Sequence, residues 1–223
     1  MNNIIEIKNL KKSYGSNIHI LKNINFTVNK GDFISIIGPS GSGKTTLLNI
    51  IGILDTFNGG QYFFNKVDTK ILQENEKNIF RNKNIGFIHQ FHYLIPELST
   101  IENVILPMLI GNYDYNKSVK KAEELLNEFN LSDRINSKTK LLSGGEQQRV
   151  SIARAMINSP DLIIADEMTG NLDEESSDNI FDFFIEKANI KNQTIIFVTH
   201  NIKLAGKAKL KYKLENGILE KYN

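Results

Sequence analysis

The 223-residue sequence contains no cysteine. A disulfide framework and a metal site built on thiolates are therefore both excluded. No uninterrupted apolar run approaches the roughly 20 residues that a membrane-spanning helix needs, and the run from Val104 to Ile110 is broken by Pro107. Early and frequent charges also exclude the apolar core of a signal peptide near the N-terminus. We therefore expect a soluble chain that reaches a membrane only through a partner.

An excess of charge of one sign is also missing. The net charge is only +2, from 27 basic and 25 acidic residues, which argues against a protein that coats nucleic acid. We expect no nucleic-acid partner. The hydrophobic and charged fractions, 40% and 23%, are ordinary for a globular protein. The length fits one domain, which we place at residues 1–223.

Short apolar runs alternate with helical patterns along most of the chain. The runs are typical of buried strands, and the alternation indicates the α/β class with a parallel, doubly wound sheet. The predicted strands are Phe33–Ile37, Ile85–Ile88, Leu162–Ala165 and Thr194–Val198. The predicted helices between and around them are Lys44–Ile51, Gly145–Ile157 and about Glu174–Ala188.

Four further segments depart from this alternation. Ile4–Glu6 and Ile24–Val28 resemble edge strands of an antiparallel sheet, and the tail after Lys209 is typical of a hairpin around Gly217. Residues from about 91 to 143 have helical spacing and no buried-strand pattern. We predict a helical lobe there, with Thr100 as the cap of its first helix.

A glycine-rich loop follows the first buried strand and precedes a helix. It matches the phosphate-binding pattern G-x-x-x-x-G-K-[ST], and its residues are Gly38, Pro39, Ser40, Gly41, Ser42, Gly43, Lys44 and Thr45, with Thr46 next along the helix. Backbone N–H groups of such a loop point at a phosphate, and the helix adds its positive end. Lys44 supplies a cation for the β- and γ-phosphates, and the Thr45 hydroxyl is a ligand for Mg²⁺. The alternative is a flexible loop that opens a helix by chance.

Two carboxylates, Asp166 and Glu167, end the strand at Leu162–Ala165. A buried strand has no structural use for charge at its end, so the pair indicates a cation site. Asp166 is the candidate ligand of Mg²⁺, and Glu167 the candidate group that orients or deprotonates the attacking water. Taken alone, these two residues could equally well be solvated acids that end a strand. The presence of the phosphate loop favours the catalytic interpretation.

A second helix start carries small residues, Ser143, Gly144 and Gly145, followed by Glu146. The bare N–H groups and the Ser143 hydroxyl make a second phosphate-binding terminus. One chain does not need two such termini for one γ-phosphate, but a dimer does if each chain completes the other's site. A glycine-bearing helix cap would be the preferred reading if this motif stood alone.

These motifs together resemble the ABC ATPase family, and the resemblance extends along nearly the whole chain. The segment LSGGE is similar to the family's LSGGQ signature. The family implies a P-loop NTPase fold with a parallel-sheet core, an N-terminal antiparallel β subdomain and a helical subdomain. It also implies ATP and Mg²⁺ as ligands, and a homodimer in the ATP-bound state in which the signature residues close over ATP held by the opposite subunit.

The resemblance also assigns residues that spacing alone does not. Gln90, in GFIHQ, matches the glutamine that reaches Mg²⁺ and the water. Tyr14, in KSYG, matches the aromatic that stacks on adenine. Asp173 ends the loop that touches the other subunit, and His200, in VTH, matches the histidine that contacts the γ-phosphate. Taken alone, a histidine that follows a strand, as His200 does, is more often structural than catalytic. Tyr14 alone would be interpreted as a surface or core aromatic residue.

Within the family, the stretch from Gln90 to Val104 is similar to that of the ATPases that release lipoproteins. The macrolide-exporter and cell-division ATPases share the form ADExTGNLD and are the alternatives. The resemblance implies integral membrane permease subunits as partners and a peripheral position on the cytoplasmic face of the inner membrane. Met168 departs from the family, which usually has proline there, and loosens the turn after Glu167.

Two other function classes share part of this pattern. A P-loop kinase has the phosphate loop but lacks the signature helix. A soluble ABC ATPase that acts on DNA or ribosomes usually has paired cassettes or a long coiled-coil insertion, for which this chain has no room. His89 and His92 lie three residues apart, but no further ligands support a metal site, so we expect them to pack or to face a partner.

Overall fold

Two β-sheets with flanking helices form the described chain, which in this computed structural model comprises residues 3–15, 18–170 and 174–222. The strands are Asn3–Tyr14 (β1), Ile18–Asn29 (β2), Phe33–Ile37 (β3), Gly59–Phe64 (β4), Val67–Asp68 (β5), Ile85–His89 (β6), Leu162–Asp166 (β7), Thr194–Val198 (β8), Leu210–Glu215 (β9) and Ile218–Tyr222 (β10). The α-helices are Lys44–Ile51 (α1), Glu74–Asn84 (α2), Thr100–Ile110 (α3), Tyr115–Glu128 (α4), Gly144–Met156 (α5), Glu174–Ile190 (α6) and Ile202–Gly206 (α7).

The larger sheet has the strand order β10-β9-β3-β8-β7-β6. Its strands pair in parallel except for β10, which forms the predicted hairpin with β9. Both faces are buried, because Ile195 and Phe197 of β8 belong to one apolar cluster and Ile196 and Val198 to another. This burial on both sides explains the continuous apolar runs. The predicted α/β class with a parallel-sheet core is confirmed.

Four of these strands end at the same edge of the sheet, since they run in parallel. β3 leads into the glycine-rich loop, β6 into Gln90, β7 into Glu167, and β8 into Thr199 and His200. The carboxyl edge of a parallel sheet is the usual place for a ligand in an open α/β fold. The fold therefore gathers the predicted site residues of these four segments at one edge.

The smaller sheet is antiparallel and has the order β2-β1-β4-β5. The prediction that Ile4–Glu6 belongs to an edge strand is wrong, because β1 is longer and lies between β2 and β4. Asn9 has φ 50° and marks a bulge, since the β1–β2 register shifts between Ile7 and Leu10. The extra residue interrupts the alternation on which the prediction depended.

The sequence pattern also did not predict β4, β5 and α2. No residue of α2 is buried, so it has no apolar stripe from which helical periodicity could be recognised. β4 contributes Tyr62, which is buried and donates its hydroxyl to the Ile51 carbonyl at 2.6 Å. That bond joins the antiparallel sheet to the end of α1.

The segment before the signature contains α3 and α4. Ser99, not Thr100, caps α3: its Oγ accepts from the Glu102 amide at 3.3 Å, and the Glu102 carboxylate accepts from the Ser99 amide at 2.7 Å. This is a capping box, which requires serine and glutamate three residues apart. Thr100 instead is buried and donates its hydroxyl to the Ser137 carbonyl. Across the described ranges, no helix is both long and apolar enough to cross a membrane.

Gly86 allows α5 to pack directly on β6. A Cβ at this position would lie 2.2 Å from the Ala155 carbonyl oxygen, which is backbone and cannot swing away. Gly86→Ala should therefore destabilise the fold by about 1–3 kcal/mol, the usual cost of overpacking. Denaturant unfolding would measure this. The matched control is Gly59→Ala in β4, where the nearest atom, Lys11 Cδ, would be 3.8 Å away. Equal unfolding midpoints in the two variants would contradict the prediction.

Candidate functional site

The glycine-rich loop spans residues 38–43, between β3 and α1. Gly43 is the N-cap of α1, with φ 99° and no side-chain cap hydrogen bond. Only glycine adopts this conformation readily, and a Cβ here would also lie 2.8 Å from Ile20 Cγ2. The free N–H groups at the start of α1 are therefore available to an anion in front of the helix.

Lys44 and its neighbours complete the loop. The Lys44 ammonium donates to the Gly38 and Pro39 carbonyls, each at 2.9 Å, so it lies across the mouth of the loop. The Ser42 hydroxyl is buried and has no hydrogen-bond partner among the described residues. A buried donor of this kind is usually satisfied, and a phosphate oxygen would satisfy it. These contacts are what a phosphate cradle requires.

Asp166 lies at the end of β7, where it pairs with Val198 of β8. Its Oδ2 accepts from the Thr45 hydroxyl at 3.3 Å. Burial raises the pKa of Asp166. The Thr45 hydrogen bond lowers this pKa, and the charge of Glu167 raises it. A cation between Thr45 and Asp166 would reverse this shift.

The two oxygens fit Mg²⁺, which typically takes one or two protein oxygens and completes its shell with phosphates and water. Among residues 3–15, 18–170 and 174–222, no cluster of three histidine or acidic side chains could hold a metal by itself. The chain therefore offers part of a metal shell.

Glu167 follows Asp166 with φ 48°, a left-handed conformation that costs a non-glycine residue on the order of 1 kcal/mol or more. Two hydrogen bonds hold it there: its N–H donates to the Val198 carbonyl at 3.0 Å, and its carbonyl accepts from the Gly170 N–H at 2.9 Å. The Glu167 carboxylate lies 3.3 Å from Nδ1 of His200, whose side chain is 70% exposed. The strained turn thus aims the carboxylate away from the core and at the open end of the site.

A cavity of about 450 Å³ joins these groups. Ten residues predicted from the sequence line it: Gly38, Ser40, Gly41, Gly43, Lys44, Thr45, Thr46, Asp166, Glu167 and His200. Ile20 lines it as well and was not predicted. No local motif marks Ile20, because it reaches the cavity only through the path of β2 beside Gly43. Pro39 and Ser42 shape the loop without lining the cavity.

Gln90 and Tyr14 lie outside the lining of this cavity. The Gln90 amide is near the turn after Glu167, since a Cβ on Gly170 would be 2.9 Å from Gln90 Nε2. The Tyr14 hydroxyl donates to Asp55 at 2.8 Å, and its ring, 46% exposed, lies 4.7 Å from the Lys12 ammonium. An exposed ring held at its hydroxyl end is able to stack on a planar group.

The signature residues form a capping box that the S-x-x-E spacing could have revealed. Ser143 Oγ accepts from the Glu146 N–H at 3.3 Å, and the Glu146 carboxylate accepts from the Ser143 N–H at 2.8 Å. Arg134 donates to the same carboxylate at 2.9 Å. The hydrogen bond from the Ser143 N–H is the largest cause that lowers the pKa of Glu146, to about 2, and the hydrogen bond from Arg134 is the next. Glu146 therefore stays charged, and the cap stays formed, down to strongly acidic pH.

Within one chain, the signature is separate from the phosphate loop. Ser143 and Gly144 are exposed and do not line the 450 Å³ cavity. Gly145 lines a different cavity, of about 380 Å³, with residues of α5 and α6. Asp173, with Asn171 and Leu172, lies outside the described residues.

Comparison with known proteins gives one family and close relatives. The family model described as "ABC transporter" matches residues 21–170. The lipoprotein-releasing system ATP-binding protein LolD of Wigglesworthia glossinidia brevipalpis is 44% identical over 229 residues, covering 100% of both chains. The macrolide export ATP-binding/permease protein MacB of Campylobacter jejuni is 44% identical over 214 residues, which cover 96% of this chain and 33% of that protein.

A solved structure gives the same result for the fold. It is a dimeric ATP-binding cassette in a post-hydrolysis state, bound to ADP and Pi, with 37% identity and a TM-score of 0.85 over 98% of this chain and 99% of that chain. The family match over residues 21–170 covers the phosphate loop, the strand that ends in two carboxylates and the signature helix. Because the family model spans most of the chain and the relatives align along its length, this chain belongs to the ABC transporter family.

Proposed function

We propose that this chain is the ATP-hydrolysing subunit of an ABC transporter that releases lipoproteins from a membrane. The observation that carries the ATPase assignment is the single cavity in which the phosphate loop meets Asp166, Glu167 and His200. The proposal takes residues 1–223 as one cassette with a helical lobe at about 91–143.

The phosphates of ATP would bind the loop first. The N–H groups at the start of α1 would donate to phosphate oxygens. Lys44, which now donates to two carbonyls, turns its ammonium to the β- and γ-phosphates. Thr45 and Asp166 would hold Mg²⁺, which neutralises phosphate charge when bound. Tyr14 would stack on the adenine.

Hydrolysis needs a group that orients and deprotonates water in line with the γ-phosphate. Glu167 suits this role, because the left-handed turn fixes its backbone while its side chain stays 27% exposed. The contact of its carboxylate with His200 Nδ1 holds the imidazole beside it, and the other ring nitrogen of His200 is left for the γ-phosphate. Gln90, near the same turn, would contact the water and the metal.

The second half of the site would come from a second copy of the chain. Ser143, Gly144 and Gly145 do not line the cavity of their own chain. In a dimer these groups would close over ATP on the opposite phosphate loop, with the loop at Asp173 also at the interface. The dimeric assembly of the similar solved cassette supports this arrangement.

Membrane permease subunits would contact the surface around Gln90 and the helical lobe, on the cytoplasmic face of the inner membrane. A groove of about 650 Å³ lies there, between α2, β6 and α3. Its lining includes the apolar residues Phe87, Leu106 and Ile110 and the basic residues Arg81 and Arg154. Grooves of this kind bind a helix of a partner.

Lipoproteins are the preferred cargo because the lipoprotein-releasing relative matches along its whole length. A macrolide-type exporter is the second candidate, favoured by equal identity to a protein of which this chain spans only a third. The permeases that co-purify with the chain, and ATP-dependent release of an acylated protein from vesicles containing the complex, would decide between them. Drug efflux without lipoprotein release would overturn the preferred cargo.

Glu167→Gln should retain ATP binding, lower kcat at least 100-fold and trap the closed dimer, because the amide cannot accept the proton of the attacking water. ATPase assays would be paired with size-exclusion chromatography in ATP. An unchanged turnover would contradict the role of Glu167.

Lys44→Ala should weaken ATP binding at least tenfold, since a cation at the β- and γ-phosphates is lost. Titration with a fluorescent ATP analogue would measure the dissociation constant. The control is Lys191→Ala, which removes a surface ion pair with Glu128. Normal affinity in Lys44→Ala would refute the phosphate-loop assignment.

Gly145→Ala distinguishes an effect on the activity of the dimer from an effect on the stability of the single chain. A Cβ there would meet only Ile180 Cδ1 at 3.8 Å and Arg149 at 4.0 Å, and alanine favours a helix over glycine by up to about 1 kcal/mol. The melting temperature should therefore stay equal or rise, whereas ATPase activity should fall at least tenfold because the methyl group adds bulk to the helix start that would close over the partner's nucleotide. Gly206→Ala, with nothing within 4 Å, is the control. Full activity in Gly145→Ala would argue against a shared site.

A further inference from the structure

A buried lysine near the end of β1 is paired with the turn that follows α1. Lys12 is 5% exposed, and its ammonium donates to Asp55 Oδ1 and to the Thr56 carbonyl, each at 2.7 Å. A buried charge needs partners of this kind. The Thr56 N–H donates to the same Asp55 Oδ1 at 2.7 Å. These contacts on one oxygen hold the Asp55 carboxylate in one orientation.

The other oxygen of this carboxylate binds Tyr14, whose hydroxyl donates to Asp55 Oδ2 at 2.8 Å. Burial raises the pKa of Asp55, but the hydrogen bonds from Lys12, Tyr14 and Thr56 together bring this pKa below its usual value. The carboxylate is therefore ionised at neutral pH and only accepts hydrogen bonds. The Lys12 ammonium also lies over the Tyr14 ring, 4.7 Å from its centre, where a cation is attracted to an aromatic face.

Asp55 itself is fixed to the C-terminal end of α1. The N–H groups of Leu54 and Asp55 donate to the Asn49 carbonyl at 2.8 and 3.2 Å, and Arg81 donates to the Ile53 carbonyl at 2.8 Å. Ile53 has φ 57°, a conformation that a β-branched residue adopts only where its surroundings enforce it. The turn after α1 therefore has one well-determined conformation.

The backbone before Tyr14 is attached to the same turn. The Ser13 N–H donates to Asn58 Oδ1 at 2.6 Å, and the Asn58 N–H donates to the Lys11 carbonyl at 2.9 Å. Tyr14 is thus held through its main chain and through its hydroxyl. α1 begins at the phosphate loop and ends at this turn, so one helix of eight residues joins the loop to the support of the aromatic ring.

We propose that Asp55 is a positioning residue that, oriented by Lys12, fixes the Tyr14 ring before a nucleobase stacks on it. A ring that turns freely about its side-chain bonds loses this freedom on stacking, which weakens binding. A ring already held at its hydroxyl loses less, so ATP binds more tightly. The inference rests on the proposed function, because it takes Tyr14 as the residue that stacks on adenine.

Tyr14→Phe removes the tethered hydroxyl and keeps the ring. The dissociation constant for ATP should rise about fivefold, because the ring is no longer held before it stacks. Inorganic tripolyphosphate, which has phosphates and no base, should bind the variant and the wild type equally, and this equality would show that the phosphate loop is intact. Isothermal titration calorimetry measures both constants. An unchanged affinity for ATP would overturn the proposal.

Asp55→Asn tests whether the carboxylate acts through that hydroxyl. The amide has one oxygen, which Lys12 and the Thr56 N–H need, so its NH₂ group faces Tyr14 and a neutral hydrogen bond replaces a charge-assisted one. ATP affinity should fall about threefold in the otherwise wild-type chain, and not at all in Tyr14→Phe, which has no hydroxyl to hold. A purely structural Asp55 would lower the affinity by the same factor in both backgrounds, which would refute the positioning role.

Steady-state ATPase kinetics supply a second readout. In Tyr14→Phe and Asp55→Asn, the KM for ATP should rise by the same factors while kcat stays within about twofold of wild type, because the groups that contact the γ-phosphate are unchanged. The matched control is Asp161→Asn, which replaces a carboxylate that accepts from Asn65 at 2.8 Å before β7 and should change neither constant. A fall in kcat with an unchanged KM would contradict the proposal.

Tyr14→Ala distinguishes failure of this inference from failure of the proposed function. Loss of the ring should weaken ATP binding about tenfold or more, the usual effect of removing an aromatic that stacks on a base. If ATP affinity is unchanged, Tyr14 does not stack on adenine, and both the proposed role of Tyr14 and the inference are wrong. If Tyr14→Ala weakens binding and Asp55→Asn does not, only the positioning role of Asp55 fails.

Discussion

The parallel pairing of β3, β8, β7 and β6 is the constraint on which the site depends. Because the four strands run the same way, their carboxyl ends meet at one edge. Asp166 is paired with Val198, and the next residue, Glu167, takes its hydrogen bond from the end of β8. A slip of one residue between β7 and β8 would turn Asp166 to the other face of the sheet and break its contact with Thr45. The geometry of the candidate site is therefore a property of sheet register.

Polar tethers organise the other half of the molecule. The helical lobe shares an apolar cluster with one face of the larger sheet, and individual side chains fix its position relative to backbone segments. Asn103 and Arg154 each bind backbone groups of the stretch after Gln90, and Arg134 binds the cap of the signature helix. Each tether ends in a charged or amide group at a defined distance, so each has one geometry. These tethers thus give the lobe one defined internal arrangement.

Most of the core and the phosphate loop could be predicted from the sequence, because both depend on local patterns. Apolar runs predicted β3, β6, β7 and β8. The glycine-rich loop before α1 has a spacing that few other structures require. The bulge at Asn9 and the unburied helix α2 could not be found in this way, since neither leaves a periodic apolar pattern. Ile20 and Asp55 were missed for a different reason: their roles arise from contacts between segments far apart in the sequence.

Met168 shows how a single departure from the family adds a property that the usual residue lacks. Its side chain is 3% exposed and belongs to the apolar cluster beneath the helical side of the sheet. The thioether therefore fills core volume immediately beside Glu167. Oxidation of that sulfur to the sulfoxide would place a polar oxygen in this cluster and push on the strained turn that aims the Glu167 carboxylate. Proline at the same position has no sulfur, so the methionine brings to this turn an oxidisable atom that proline does not.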